Sequence, residues 1–187
     1  PYASIIHGNV GELLDAAPAV MVLANMGRQD DVSEDRMYRY VEDGGLLIRF
    51  AGENMSTDPG PLVPVGLRAG GRDIGGSLTW DEPQTIGAFP EGSPFYGLTA
   101  PDDVSVSRQV LAAPSVDLSE HTWARLADGT PLVTARRLGA GWLVLFHTSA
   151  DTDWSDLPLS GLFVDMLRRL LPLAQSGNDT AGGDAGG

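Results

Sequence analysis

A continuous apolar run, an amphipathic segment and a second, largely apolar run predict a βαβ unit near the start of the chain. The first run is Ala19 to Ala24 and the second is Leu46 to Ala51, and both are typical of strands covered on two faces. Between them, Ser33 is the predicted N-cap of a helix over Glu34 to Asp43, which Gly44-Gly45 ends. The order strand, helix, strand indicates a parallel α/β sheet.

The second half of the chain predicts a hairpin, a further buried strand and a long helix. Thr122 to Leu126 and Pro131 to Arg136 flank Asp128-Gly129, a dipeptide that favours a β-hairpin. Trp142 to His147 is apolar until its last residue, as in a buried strand. Leu159 to Leu173 has the periodicity of an amphipathic helix. Its apolar stripe consists of Leu162, Phe163, Met166, Leu167, Leu170 and Leu171.

Changes in composition along the chain indicate one domain with an insertion and a tail. Residues 1–174 are predicted to form a single α/β domain, and the Pro/Gly-rich, β-rich stretch from about 53 to 118 is an elaboration on it. Residues 175–187 are rich in Gly, Ala, Asp and Ser and predict a flexible linker. Both ends are expected to be cut from a longer protein.

Charge and composition narrow the possible partners. The net charge of −13 would repel nucleic acid and anionic lipid surfaces. The chain has no cysteine, which excludes disulfides, thiolate nucleophiles and Cys-ligated metal sites. The most apolar stretch, from Ala16 to Met26, is shorter than the roughly 20 residues of a spanning helix, so a soluble segment is expected.

Polar residues directly after the three apolar strands are the candidate ligand-binding groups, because open α/β sheets bind ligands at the carboxyl ends of their strands. They are Asn25, Gly52, Glu53, Asn54, His147, Ser149, Asp151 and Asp153. His147, Ser149 and Asp151 are also weak catalytic candidates. The simpler interpretation is that His147 is hydrogen-bonded in place, Asp151 or Asp156 binds turn amides and Trp154 fills the core under the last helix.

No motif for a metal, a cofactor or an activated nucleophile is complete. Asp151-x-Asp153-x-Ser155 begins like a calcium loop, but Asp156 and Leu162 stand where the glycine and the bidentate glutamate belong. The three histidines are too dispersed for a zinc site. No Gly-x-Ser-x-Gly elbow is present, so no catalytic residue, metal or cofactor is predicted.

The segment from Tyr40 to Gly52 resembles the class I glutamine amidotransferase-like superfamily, in which a helix ending in Gly-Gly precedes the strand that carries the nucleophile. Together with Leu126 to Leu132, Arg137 to Gly141 and Thr148 to Phe163, it resembles one bacterial group more narrowly. This group comprises membrane-anchored proteins with a BatA-like double-transmembrane N-terminus and an uncharacterised C-terminal domain. The likeness covers most of residues 10–173.

The resemblance implies a flavodoxin-like, class I glutamine amidotransferase-like three-layer sandwich. It also implies transmembrane helices outside this chain and a soluble segment on the periplasmic side of a bacterial inner membrane. The family's cysteine is missing, since Ala51, Gly52 and Glu53 occupy the turn. His147 resembles the family's histidine, but Ser149 replaces the acid two residues later.

The resulting hypothesis is a non-catalytic module that scaffolds, or binds an unknown protein or a small polar ligand, at the cell envelope. The first alternative is an enzyme of unknown chemistry, with or without a metal, that uses His147 with the nearby aspartates. The second is a structural spacer with no ligand.

Overall fold

The computed structural model describes residues 5–68 and 77–179, with residues 175–179 described by their backbone. They form a mixed α/β fold with a five-stranded sheet in the order β1-β2-β7-β6-β5 and a two-stranded sheet of β3 and β4. The strands are β1 Val20–Ala24, β2 Leu46–Phe50, β3 Ser77–Thr85, β4 Ser105–Val110, β5 Thr122–Arg125, β6 Pro131–Leu138 and β7 Gly141–Phe146. The helices are α1 Val10–Ala16, α2 Asp31–Glu42, α3 Glu53–Thr57, α4 Leu118–His121 and α5 Gly161–Asp179, with a 3₁₀ turn at Leu157–Leu159.

The predicted βαβ unit is present: β1 and β2 are neighbouring parallel strands and β7 continues the parallel part of the sheet. Helix α2 begins earlier than predicted. Its N-cap is Asp30, whose carboxylate accepts a hydrogen bond from the Ser33 N–H, so the prediction of Ser33 as the N-cap is wrong. Gly44 follows the helix with a φ of 116°, a conformation that favours glycine.

Helices cover both faces of the parallel strands. Leu46, Ile48 and Phe50 of β2 pack with Leu162, Met166 and Leu170 of α5 on one face. On the other face, residues of β1, β2 and β7 pack against α1 and α2 through Val10, Met21, Leu23, Met37, Val41, Leu47 and Leu143. The sheet is therefore the middle layer between α5 and the pair α1 and α2.

The predicted hairpin is also present, because β5 and β6 pair antiparallel across a turn in which Gly129 has a φ of 92°. Strand β6 then pairs antiparallel with β7, which makes the sheet mixed. The flavodoxin-like topology is not confirmed. The stretch from about 53 to 118, predicted as a β-rich elaboration, contains β3, β4 and the short helix α3.

Strand β4 docks on the segment that follows β7. The N–H groups of Ser107 and Arg108 donate to the Trp154 carbonyl at 2.8 and 3.1 Å, and the Asp156 N–H donates to the Ser105 carbonyl at 3.1 Å. The Val110 N–H donates to the His147 carbonyl at 2.8 Å. This docking brings a strand from the Pro/Gly-rich stretch to the carboxyl ends of β1, β2 and β7.

Helix α5 extends to Asp179, so the first part of the predicted linker at 175–187 is helical, and residues 180–187 lie outside the described residues. Within the described ranges, no helix is both long and apolar enough to cross a membrane.

Candidate functional site: a polar cleft at the strand ends

The carboxyl ends of β1, β2 and β7 meet in one cleft of about 310 Å³. Of the eight candidate ligand-binding residues, six line it: Asn25, Gly52, Glu53, Ser149, Asp151 and Asp153. Arg108 and Trp154 complete the lining. The convergence follows from the parallel register, since β1 ends at Ala24 beside Phe50, and Phe50 lies beside Phe146.

The floor of the cleft depends on a close approach between Asn25 and Gly52. A Cβ atom added to Gly52 would lie 2.1 Å from the Asn25 side-chain oxygen, so only glycine fits there. The same oxygen accepts a hydrogen bond from the Asn54 N–H at 2.9 Å, and the Asn54 amide nitrogen donates to the Asn25 carbonyl at 3.2 Å. Asn54 lines a neighbouring shallow depression instead, and it supports Asn25 from outside the cleft.

The loop after β7 is stabilised by its own polar side chains. The Asp151 N–H donates to the Ser149 hydroxyl at 2.9 Å, and the Asp153 N–H donates to the Asp151 carboxylate at 3.1 Å. These are the local turn bonds of the simpler interpretation. Ser149 is buried, whereas Asp151 and Asp153 are exposed, so the two carboxylates remain accessible from solvent.

Arg108 on β4 is the cation of the cleft. Its guanidinium donates to the Glu53 carboxylate at 3.1 Å and twice to the Ser77 hydroxyl, at 2.8 and 3.1 Å. It also lies 4.5 Å from the centre of the Trp154 ring, within the range of a cation–π contact. These contacts hold the guanidinium in place at the wall of the cleft.

Trp154 is buried with Ala51, Met55, Val110 and Leu145. It therefore packs against α3 and β4, and the expectation that it fills the core under the last helix is wrong. The ring lies under the Arg108 guanidinium and forms one wall of the cleft.

His147 does not line the cleft. It is completely buried, its Nδ1 lies 2.8 Å from the Val110 carbonyl, and its Nε2 lies 2.8 Å from the Thr134 hydroxyl. Since a carbonyl only accepts, Nδ1 carries the proton and Nε2 accepts from Thr134. Burial lowers the pKa of His147 to about 4, although the bond to Val110 acts in the opposite direction. The neutral imidazole joins β4, β6 and β7.

The charged groups of the cleft favour a cationic ligand. Glu53, Asp151 and Asp153 contribute three carboxylates against the single guanidinium of Arg108. No group of three His, Asp or Glu side chains in residues 5–68 and 77–179 is arranged to hold a metal ion.

Sequence reasoning missed Arg108 because the stretch that contains it was interpreted as an elaboration. The alternation of Val104, Val106 and Val110 with polar residues could have extended the strand through Arg108. Its docking beside Trp154 depends on pairing between segments distant in sequence, which no local pattern contains.

The fold and the cleft together define a mixed α/β domain with a polar site at the carboxyl edge of a parallel strand triplet. No protein-family model and no curated protein sequence matches the chain. Solved structures match in fold. The cytoplasmic protein STM3548 from Salmonella typhimurium aligns with a TM-score of 0.65 at 14% identity, over 90% of this chain and 75% of that one.

Two further structures show the same similarity of fold. The cytoplasmic protein STM1381 from Salmonella typhimurium LT2 has a TM-score of 0.60 at 11% identity, over 85% of this chain and 74% of that one. A β-galactosidase from Rahnella sp. R3 has a TM-score of 0.56 at 18% identity, over 83% of this chain but 23% of the enzyme. At these identities the similarity establishes the fold alone.

These neighbours overturn the resemblance to the class I glutamine amidotransferase-like superfamily and to the BatA-like membrane-anchored group. The matching structures described above are two cytoplasmic Salmonella proteins and a β-galactosidase, and these three are not glutamine amidotransferase-like. The local likeness from Tyr40 to Gly52 reflects a helix, a Gly-Gly stop and a buried strand, which are common to many α/β sheets. The membrane anchor and the periplasmic position that the resemblance implied lose their support with it.

Proposed function

We propose that this domain is a non-catalytic binding module whose strand-end cleft takes a small organic cation, such as a molecule with one or more amino groups. The observation that carries the proposal is the meeting of three strand ends in one polar cleft whose carboxylates outnumber its guanidinium. A pure spacer would not require this convergence.

The position of His147 supports a binding role over catalysis. A general base needs access to the substrate and a pKa near the working pH. His147 is buried, both its ring nitrogens are engaged, and its pKa lies at about 4. The alternative enzyme based on His147 and the nearby aspartates therefore has no geometric support.

Putrescine and succinate are matched probes of this proposal, since both have four carbons and they carry opposite charges. We expect putrescine to bind with a Kd in the millimolar range, about −4 kcal/mol, and to shift the amide NMR signals of residues 149–153. Succinate should leave these signals unchanged. Equal responses to the two probes, or no response to putrescine, would contradict the proposal.

Asp153→Asn provides the test of position. The Asp153 carboxylate makes no hydrogen bond among the described residues, so its loss should leave the loop intact while it weakens putrescine binding by up to about fivefold. Asp43→Asn is the matched control, because it removes the same charge at the opposite end of the sheet. An equal effect of both variants would show that net charge, rather than the cleft, attracts the probe.

A further inference from the structure

The outer edge of β1 is open. The Leu46 N–H donates to the Ala19 carbonyl and the Asn25 N–H donates to the Phe50 carbonyl, so odd-numbered residues face β2 in this parallel ladder. Val20, Val22 and Ala24 therefore direct their N–H and C=O groups away from the sheet. Within residues 5–68 and 77–179, β1 pairs with β2 alone.

One face of β1 is also partly uncovered. In register, Val20 lies beside Leu46 and Val22 beside Ile48, which places both valines on the face that α5 covers. Helix α5 lies over the neighbouring strands, since Phe163 contacts Phe50 of β2 and Phe146 of β7. Val22 is consequently 50% exposed within a strand whose opposite face is buried.

The flank of α5 that faces β1 is apolar. On the other flank, Arg169 donates to the carbonyls of Pro94 and Tyr96, next to Phe95 and β5. At 3.6 residues per turn, Val164, Leu167 and Leu171 project from the side opposite Arg169, toward β1. Val164 and Leu171 are both nearly half exposed.

Exposed apolar side chains are concentrated around this edge. Ten large hydrophobic residues are exposed in the described part of the chain, and Ile5, Ile6, Val22, Val164 and Leu171 are five of them. Ile5 and Ile6 line a largely apolar cleft of about 510 Å³ with Val20 and Val22. Apolar surface gathered in this way is typical of an interaction site.

We propose that β1 is a dimerisation edge at which a second copy of this chain adds its own β1 antiparallel, forming a continuous ten-stranded sheet. Rotation by two-fold symmetry about Val22 places Val20 opposite Ala24 and Met21 opposite Leu23. Each face of the paired strands therefore carries the same residues from both copies. Val22 of one copy lies beside Val22 of the other. The outward N–H and C=O groups of both strands then become paired.

Charge favours a second copy at this edge. No charged residue occurs between Asp15 and Arg28, although the whole chain carries a net charge of −13. Two copies can meet here without placing carboxylates against each other. At other, acidic surfaces of the chain, repulsion between the two copies would disfavour contact. Natural edge strands that avoid pairing instead carry charges or proline, and Val20 to Ala24 has neither.

The two copies of α5 would lie on the same face of the paired strands. The two β2 strands would stand about 14 Å apart, three strand spacings. The apolar flanks with Val164 and Leu171 from both copies would then border the two Val22 side chains. The contact therefore pairs the open edge and reduces the exposure of the apolar face of β1.

Sedimentation equilibrium of the chain over a range of concentrations tests the proposal. We expect a dimer that Val22→Lys weakens by at least about tenfold, because two lysines would meet at the symmetry axis. Val116→Lys is the matched control, since Val116 is fully exposed and its replacement changes the net charge equally. A monomeric wild type, or equal weakening by the two variants, would overturn the proposal.

A cysteine cross-link keeps the test decisive if Val22→Lys fails to fold. Residues paired through their own N–H and C=O groups have Cα atoms about 5.5 Å apart, which is within disulfide range. Because the chain has no cysteine, Val22→Cys introduces a single thiol. Oxidation should yield a covalent dimer at concentrations where Val116→Cys stays largely uncross-linked. Equal yields for the two variants would overturn the pairing at Val22, including the case in which another segment occupies this edge.

Discussion

At the scale of single residues, two buried polar side chains determine how the loops around the cleft are held. His147 joins three strands through its ring and its carbonyl. Arg49 lies inside β2, and its guanidinium donates to the carbonyls of Met26, Pro59 and Leu62 in the loops after β1 and α3. Both side chains form hydrogen bonds with carbonyl or hydroxyl groups of other segments, whose proximity the sequence alone does not predict.

The pH dependence of stability should contain a contribution from His147. Its pKa is about 4 in the folded state, against about 6.5 in an unfolded chain. As the pH falls from 6.5 toward 4, the unfolded state binds a proton that the folded state excludes, so the free energy of unfolding decreases. The full difference is about 3 kcal/mol, of which about 2 kcal/mol is lost by pH 5.

Urea denaturation at pH 7.5 and pH 5.0 measures this contribution. The His147→Asn variant should be less stable at pH 7.5 but should lose less stability on acidification than the wild type. His7→Gln is the control and should retain the wild-type slope. A slope that is unchanged in His147→Asn would show that other groups cause the pH dependence.

Arg49 should be among the most sensitive positions of the fold. Burial lowers its pKa, Glu34 opposes that shift, and a guanidinium stays charged under all ordinary conditions. Arg49→Met would leave three carbonyls without their donor and should cost about 3–5 kcal/mol in chemical denaturation. Arg36→Met breaks only an exposed ion pair with Asp15, so it should cost less than about 1 kcal/mol. Similar costs for the two variants would contradict this role of Arg49.

At the scale of secondary structure elements, the hydrophobic pattern predicted those strands and helices that are determined by short stretches of sequence. The apolar runs of β1, β2 and β7, the Asp-Gly hairpin and the stripe of α5 all appear where the pattern placed them. The docking of strand β4 on the segment after β7 was not predictable in this way, because it depends on pairing between segments that are distant in sequence. The same division applies to the cleft, in which the strand-end residues were expected and Arg108 was not.

The burial of the side chains in the apolar stripe of α5 varies from residue to residue. Met166 and Leu170 are fully buried, Phe163 and Leu167 are partly buried, and Leu171 is nearly half exposed. We expect Met166→Ala to cost about 2–5 kcal/mol and Leu167→Ala less than about 2 kcal/mol in thermal or urea denaturation, since the smaller buried area loses less. A larger cost at Leu167 would show that the centre of the buried face is misplaced.

At the scale of the whole molecule, the net charge of −13 should give the two proposed interactions opposite responses to salt. Raising NaCl from 50 to 500 mM shortens the Debye length from about 14 Å to about 4 Å. Binding of putrescine should weaken, because attraction to the carboxylates is screened. Dimerisation should strengthen, because repulsion between two acidic chains is screened as well. Calorimetry and sedimentation measure the two trends, and trends of the same sign would contradict one of the proposals.

The position of β7 between β2 and β6 has a consequence for the order in which the protein can fold. Leu46 pairs with Trp142, so the centre of the sheet is completed by a strand that leaves the ribosome after β5 and β6. A nascent chain that ends before Gly141 contains β1 and β2 in one piece and β5 and β6 in another, with no ladder between them. Closing so long a loop is slow, and productive folding of this sheet during synthesis has to wait until β7 has left the ribosome.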